Sequence, residues 1–230
     1  MNEAALPLSN RTEAGRALGA ALSAYRGRRD LLVLALPRGG VPVACEVADV
    51  LGAEVDLLIV RKLGTPGQEE LAMGAIASGG VRVLNREVIE PMRIPEHVIA
   101  EAERRELREI ERREAAYRGR RPRPAVAGQC VILVDDGVAT GATMRAGIAA
   151  LRQARPSRIV VAVPVAPLDT VELLQREADE VVCLAMPEPF RAIGCWYVEF
   201  PQLSDEEVRA RLALSWARRP AAGAAIAGRT

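Results

Sequence analysis

Cys130-Val131-Ile132-Leu133-Val134-Asp135-Asp136-Gly137-Val138-Ala139-Thr140-Gly141-Ala142-Thr143 is the stretch that decides the fold. Its apolar run reads as a buried strand that ends in two consecutive carboxylates. A small-residue loop then closes with Thr-Gly-x-Thr at the start of a helix-forming stretch, 141–153. Gly141 permits close backbone approach, Thr140 and Thr143 offer hydroxyls, and the amides of the first helical turn have no partner of their own. That is a phosphate cradle. Two carboxylates just before it would repel a phosphate in direct contact. They suit something attached to that phosphate at sugar length, either ribose hydroxyls or Mg²⁺ near them. The segment is neither GxxxxGK[ST] nor GxGxxG, so the mononucleotide P-loop and the dinucleotide fingerprint are absent. An ordinary βα turn, with Asp136 and Thr140 merely capping the helix, would need neither the second carboxylate nor the TGAT ending.

Working outward, short apolar runs alternate with helical patterns. Residues 10–26 read as an amphipathic helix capped by Ser9 or Asn10, with Ala14, Leu18, Ala21, Leu22 and Tyr25 on one face. Leu31–Leu36 is a strand stopped by Pro37-Arg38-Gly39-Gly40, and a helix follows from Val41 to near Gly52. Val55–Val60 reads as the second strand. After a loop marked by Gly64, Pro66 and Gly67, Met73–Ala77 and Val81–Leu84 form a hairpin about Gly79-Gly80. Further strands are expected at Val131–Val134, Ile159–Val163 and Val181–Leu184, with helices at 141–153 and 168–176. A last helix covers 204–216, opened by Ser204 with Glu207 three residues on. This alternation predicts an α/β fold: a mainly parallel, twisted sheet flanked by helices.

From Pro95 to Tyr117 the pattern changes. Residues 101–114 hold six Glu and five Arg, which predicts a long solvated helix with a thin apolar stripe (Val98, Ala102, Leu107, Ile110) and no chemistry of its own. It falls between the two halves of the sheet. The expected organisation is one domain over 1–217, with a lid and inserted helical segment at about 64–123 and a small C-terminal hood at about 186–217. The Ala/Gly-rich 218–230 reads as a disordered tail.

The composition narrows the chemistry. Lys+Arg 31 against Asp+Glu 30 leaves a net charge of +1, which argues against a protein built to coat nucleic acid or an anionic membrane. The longest apolar run, Ile159–Leu168, is too short for a membrane span, and the N-terminus lacks the basic and apolar regions of a signal peptide. The four cysteines (Cys45, Cys130, Cys183, Cys195) lie far apart and read as small buried hydrophobes in a reducing cytoplasm. The single histidine, His97, excludes any site that needs two. Chemistry therefore rests on carboxylates, Lys/Arg, backbone amides or a loosely held metal.

The thirteen residues Val131–Thr143, VILVDDGVATGAT, resemble the phosphoribosyl pyrophosphate (PRPP) loop of the type I phosphoribosyltransferases. Similar order elsewhere extends the resemblance over most of residues 9–200. Leu36-Pro37-Arg38-Gly39-Gly40 is similar to the family's pyrophosphate loop, and Arg61-Lys62 to a basic pair that meets pyrophosphate in several members. The resemblance implies Mg²⁺-dependent transfer of 5-phosphoribosyl from PRPP to a nitrogenous base with release of pyrophosphate. Gly137, Val138, Ala139, Thr140, Gly141, Ala142 and Thr143 would grip the 5′-phosphate. Asp135 and Asp136 would orient the ribose diol and hold Mg²⁺, directly or through water. Arg38 and Lys62, with Arg61, Gly39 and Gly40, would meet the leaving group. Implied partners are PRPP and a small base, with no membrane and no nucleic acid, in a homo-oligomer expected to be a dimer.

One departure bears on the acceptor. The 6-oxopurine transferases hold an Asp just before the first Thr of this loop; here stands Ala139, which cannot accept a proton. The expected acceptor is therefore not hypoxanthine or guanine. Gln68, Glu69 and Glu70 are candidates to approach it, as are Phe190 and Trp196, which belong to a C-terminal cluster of aromatics that would otherwise pack the hood onto the core. Asn10-Arg11-Thr12 is a formal glycosylation sequon without meaning in a cytoplasmic chain. Arg118, Arg120, Arg121 and Arg123 form a basic knot expected to be a solvated loop. The alternative on the same residues is a non-catalytic PRPP- or nucleotide-sensing regulator. The knot would be its contact surface, while the near-neutral charge and the absence of a helix-turn-helix pattern count against it.

Overall fold

Leu31–Ala35 (β1) and Cys130–Val134 (β6) are buried at every position, the burial expected of strands covered on both faces. They pair in parallel, Leu31 opposite Cys130 and Ala35 opposite Val134. Glu54–Leu57 (β2) flanks β1, while Arg158–Val165 (β7) and Glu180–Ala185 (β8) extend the other side, giving a five-stranded parallel sheet in the order β2-β1-β6-β7-β8. This computed structural model describes residues 6–218, apart from the side chain of Glu70. Of the tail expected over 218–230, Arg218 ends a helix, and 219–230, like the Glu70 side chain expected near the acceptor, lie outside the described residues.

The period-two alternation of each strand divides the core. Val33, Ala35, Ile132 and Val134 face a layer built with Leu18, Val47 and Leu212, which belong to α1 (Arg11–Ala21), α2 (Gly40–Leu51) and α7 (Asp205–Arg218). Leu32, Leu34, Val131 and Leu133 face Met144, Ile148 and Leu174 on the other side, on α5 (Ala142–Gln153) and α6 (Leu168–Gln175). Asn10 caps α1 by accepting the Glu13 amide at 3.0 Å, and a short 3₁₀ turn, Ser23–Tyr25, finishes the expected 10–26 segment. Ser204 and Glu207 form the expected capping box: Ser204 donates its amide to Glu207 at 2.7 Å, and Ser204 Oγ accepts the Glu207 amide at 3.2 Å.

The second strand is shorter than its apolar run. β2 ends at Leu57; Leu58 still donates to Ala35, but Ile59 donates to Ser78 Oγ and the chain leaves the parallel sheet. Val60–Thr65 (β3), Gln68–Ala77 (β4) and Val81–Leu84 (β5) make a separate antiparallel sheet. The hairpin about Gly79-Gly80 is as expected. The stretch expected as an open loop instead turns tightly at Pro66-Gly67, with Gly67 at φ +75°. After a helical turn, α3 (Arg86–Ile89), comes the long helix α4 (Glu96–Arg118).

Two expectations about this insertion are corrected. Ala102 and Ile110 are buried as expected, but the buried stripe runs with them through Ile99, Glu106, Glu114 and Tyr117, while Val98 and Leu107 are half-buried, so it buries two carboxylates. Of the basic knot, Arg120 and Arg123 are exposed as expected of a solvated loop, but Arg118 and Arg121 are not. Arg118 is buried, donating to Asp56 Oδ1 at 2.7 Å and 3.0 Å and to Glu114 Oε1 at 3.0 Å. Arg121 donates to Glu54 at 2.6 Å and covers the Trp216 ring, and Arg123 pairs with Glu114. Arg118 and Arg121 thus clasp the end of α4 to β2, and Arg123 folds back on Glu114 of α4. Guanidinium forks suit carboxylates held in fixed positions, and two of these carboxylates, Asp56 and Glu54, come from a segment remote in sequence.

Candidate functional site

β1 and β6 are neighbours in register, so the loops leaving their carboxyl ends must lie side by side. The Pro37-Arg38-Gly39-Gly40 loop enters α2, and the Asp135-Asp136 loop leads to α5. A Cβ on Gly39 would fall 2.0 Å from Asp136 Oδ2, and one on Gly40 would fall 2.7 Å from the Val134 carbonyl. Only glycines let the first loop sit on the acid pair. The Pro37–Arg38 peptide is cis. Arg38 is exposed, its Nη1 3.8 Å from Asp205 Oδ1, which also accepts the Tyr117 hydroxyl at 2.7 Å.

The two carboxylates differ. Asp136 is buried and accepts Arg11 Nε at 2.7 Å through Oδ2. Asp135 is half-buried, and its Oδ1 accepts the Asp136 amide at 2.9 Å. Burial, then the adjacent Asp136 charge, pushes the Asp135 pKa well above the usual carboxylate value. Burial also raises Asp136, against the pull of the Arg11 guanidinium.

Beyond the acids, Val138 donates to the Val165 carbonyl at 3.0 Å, and the Thr170 hydroxyl donates to the Ala139 carbonyl at 2.7 Å. Gly141 takes φ +77° and precedes α5 with no side chain capping the helix. The first-turn amides of α5 have no intrahelical partner. Thr140 and Thr143 are exposed beside them.

The basic pair sits at the start of β3, not at the end of a strand of the main sheet. Arg61 donates to Glu106 at 2.9 Å and, with Glu69 and Arg105, lines a cleft of about 770 Å³ between β3 and α4. Lys62 lines that cleft and also a second one, of about 850 Å³, where β4 and β5 face Thr143 and Arg145 of α5. Gly39 and Gly40 are therefore gathered with the acids, Arg38 beside them reaches toward Asp205, and Lys62 lies with Thr143. Gln68 and Glu69 stand exposed on β4.

In the hood, Phe190 and Trp196 pack against each other at 6.2 Å in a cluster with Leu8, Val165 and Tyr197. Ile193 of the 3₁₀ turn Ile193–Trp196 rests on Gly137, where a Cβ would come within 2.6 Å. Of the cysteines, Cys45 and Cys130 are buried as expected, Cys183 is half-buried, and Cys195 is exposed.

Three residues at this site were not singled out by their sequence pattern: Arg11, Thr170 and Tyr197. Arg11 carried a signal. It shares a helical face with Ala14, Leu18 and Leu22, and a cation in a first turn opposes the helix dipole, so it implies an anion nearby.

Fold and loops together define an α/β protein with a glycine loop seated on an acid pair, next to an uncapped helix start. Residues 9–195 match the phosphoribosyl transferase domain, and the chain belongs to that family. Two curated relatives from Mycobacterium tuberculosis, strains CDC 1551 and H37Rv, are each 46% identical over 203 residues, 88% of this chain. Both bear the name phosphoribosyl transferase without a stated acceptor. The chain spans about half the length of these relatives (46%). The crystal structure of TT1426 from Thermus thermophilus is similar at a TM-score of 0.81 and 42% identity, covering 90% of this chain and 98% of that one.

Proposed function

We propose that the protein transfers 5-phosphoribosyl from PRPP to a nitrogenous acceptor other than a 6-oxopurine. The C1′–O bond to pyrophosphate breaks, the C1′–N bond forms, and the acceptor's proton passes to solvent. The observation that carries this reading is the contact of Gly39 with Asp136, which joins a cationic glycine loop to an acid pair beside an uncapped helix start. A molecule with a phosphate at one end, a diol in the middle and a diphosphate at the other matches that order of groups.

In this reading the α5 amides and the hydroxyls of Thr140 and Thr143 grip the 5′-phosphate. Asp135 and Asp136 orient the ribose hydroxyls, and Arg38 and Lys62 meet the departing pyrophosphate, stabilising charge that develops as C1′ becomes oxocarbenium-like. Glu69 and the hood residues Phe190 and Trp196 are the candidates to border the acceptor.

Mg²⁺ fits the donor set. Among the described residues no group of three or more His, Cys, Asp or Glu side chains is gathered for a metal. One or two carboxylates plus substrate oxygens is the ordinary Mg²⁺ environment, and Asp135 with Asp136 would supply that share. When bound, the ion would neutralise pyrophosphate oxygens. Against the sensing alternative, three of the four arginines of its contact surface, Arg118, Arg121 and Arg123, pair with carboxylates of the protein itself.

The test is thermal unfolding with PRPP and Mg²⁺, since a ligand bound only to the folded state at 100 times its Kd stabilises it by about 2.7 kcal/mol. Asp135→Asn/Asp136→Asn should abolish the shift while the free protein stays folded; an unchanged shift would refute the acid-pair assignment. Pyrophosphate release with hypoxanthine, guanine, adenine, uracil and orotate then reads the acceptor. A 6-oxopurine as the best of the five would overturn the inference from Ala139, because lost acid–base assistance is worth about 10²–10⁴-fold.

A further inference from the structure

We infer that Arg11, from the first turn of α1, is a positioning residue that sets the acid pair on the ribose diol. This rests on the PRPP reading above and adds to it a residue remote from the loop motif. Arg11 is held on three sides. Its Nε donates to Asp136 Oδ2 at 2.7 Å, its Nη1 donates to the Pro201 carbonyl at 2.8 Å, and its guanidinium lies 3.7 Å from the centroid of the Phe200 ring. Phe200 in turn packs on Tyr197 at 4.9 Å, and the Tyr197 hydroxyl donates to the Asp136 carbonyl oxygen at 2.6 Å. Gly39 lies against the same carboxylate. Asp136 is thereby gripped at its side chain by α1 and at its backbone by the hood.

The energetics favour positioning over simple stabilisation. The side chains of Arg11 and Asp136 are only 10% and 11% exposed. A buried ion pair gains little over an apolar pair of similar volume, because both charges give up water. The first turn of a helix is also the unfavourable end for a cation. What the pair provides is a fixed carboxylate direction at the strand end. The Asp135 side chain shares in it, because its Oδ1 is tied to the Asp136 amide.

The probes are ribose 5-phosphate and 2-deoxyribose 5-phosphate, titrated calorimetrically into the protein. Both engage the phosphate cradle, and only the first carries the diol. Wild-type protein should prefer ribose 5-phosphate by about 10- to 100-fold, the range of a hydrogen bond to a charged group. Arg11→Gln should erase most of that preference by weakening ribose 5-phosphate alone, since a misplacement near 1 Å costs about 100-fold. Equal weakening of both sugars would show a merely structural role and overturn the proposal, as would a retained preference. Should Arg11→Gln not fold, Arg11→Lys carries the test. It keeps the charge but loses the planar fork that serves Asp136 and Pro201 together, so the preference should fall by at least about 3-fold. An unchanged preference in folded Arg11→Lys overturns the proposal. Wild-type protein that binds the two sugars equally would overturn the acid-pair reading itself, a result visible before any variant is made.

Discussion

Gly39→Ala should destabilise the protein, although the backbone there argues for the opposite sign. Gly39 has φ −60° and ψ −36° at the entry to α2, a conformation any L-residue adopts. At such a position Gly→Ala ordinarily stabilises by about 0.4–1 kcal/mol through the unfolded chain. The added methyl, however, would lie 2.0 Å from Asp136 Oδ2, whereas ordinary contact begins at 3.4 Å, so something must give by about 1.4 Å. The carboxylate is not a loose end, since Arg11 holds it at 2.7 Å in a buried setting. If the glycine loop retreats, the cost is that of overpacking, about 1–3 kcal/mol. If Asp136 is turned away, Arg11 is left as an uncompensated buried charge at about 3–5 kcal/mol. Urea unfolding at pH 7 should therefore show a loss of at least about 1 kcal/mol. In an Asp136→Ala background that loss should vanish, because the two sites share one contact. A Gly39→Ala protein as stable as wild type, or more stable, would refute the packing of the glycine loop on the acid pair.

Asp135→Asn should stabilise the ligand-free protein in EDTA at pH 7. The folded state holds the Asp135 proton more tightly than the unfolded chain does, so wild-type stability falls as pH rises from the ordinary carboxylate value through the raised one. The Asn variant should lack that decline and melt higher, at about 2–4 °C per kcal/mol relieved; a lower Tm at pH 7 would contradict the assignment. Thr140→Ala and Thr143→Val should each weaken PRPP binding by about 0.5–3 kcal/mol in calorimetry, and wild-type affinity in both would place the phosphate elsewhere. Arg118→Leu leaves Asp56 and Glu114 buried without their shared cation, and should cost about 3–5 kcal/mol in urea unfolding. A change below about 0.5 kcal/mol, typical of surface positions, would restore the view of residues 118–123 as a solvated loop.

The parallel sheet and its loops were legible in the chain because their determinants are local. An all-apolar strand, two acids and Thr-Gly-x-Thr follow one another in fourteen residues, and each property acts on its immediate neighbours. Likewise the capping box at Ser204 and the hairpin at Gly79-Gly80 rest on short-range geometry. The apolar run 55–60 could not say where β2 stops, because burial in either sheet wants the same side chains. The hydrogen bond from Ile59 to Ser78 decides it.

Tertiary structure alone decided which charges serve the fold. Charge runs look solvated in sequence, since desolvation is tolerated only beside a partner, and the partners here are remote. Arg118 meets Asp56 across 62 positions, and Arg11 meets Asp136 across 125. The sequence determined that two carboxylates stand at the end of a buried strand before an uncapped helix. Only the packing of α1, the hood and the glycine loop around them set one carboxylate fast and left its neighbour half-exposed at the strand ends, because a carboxylate's direction depends on what surrounds it in space.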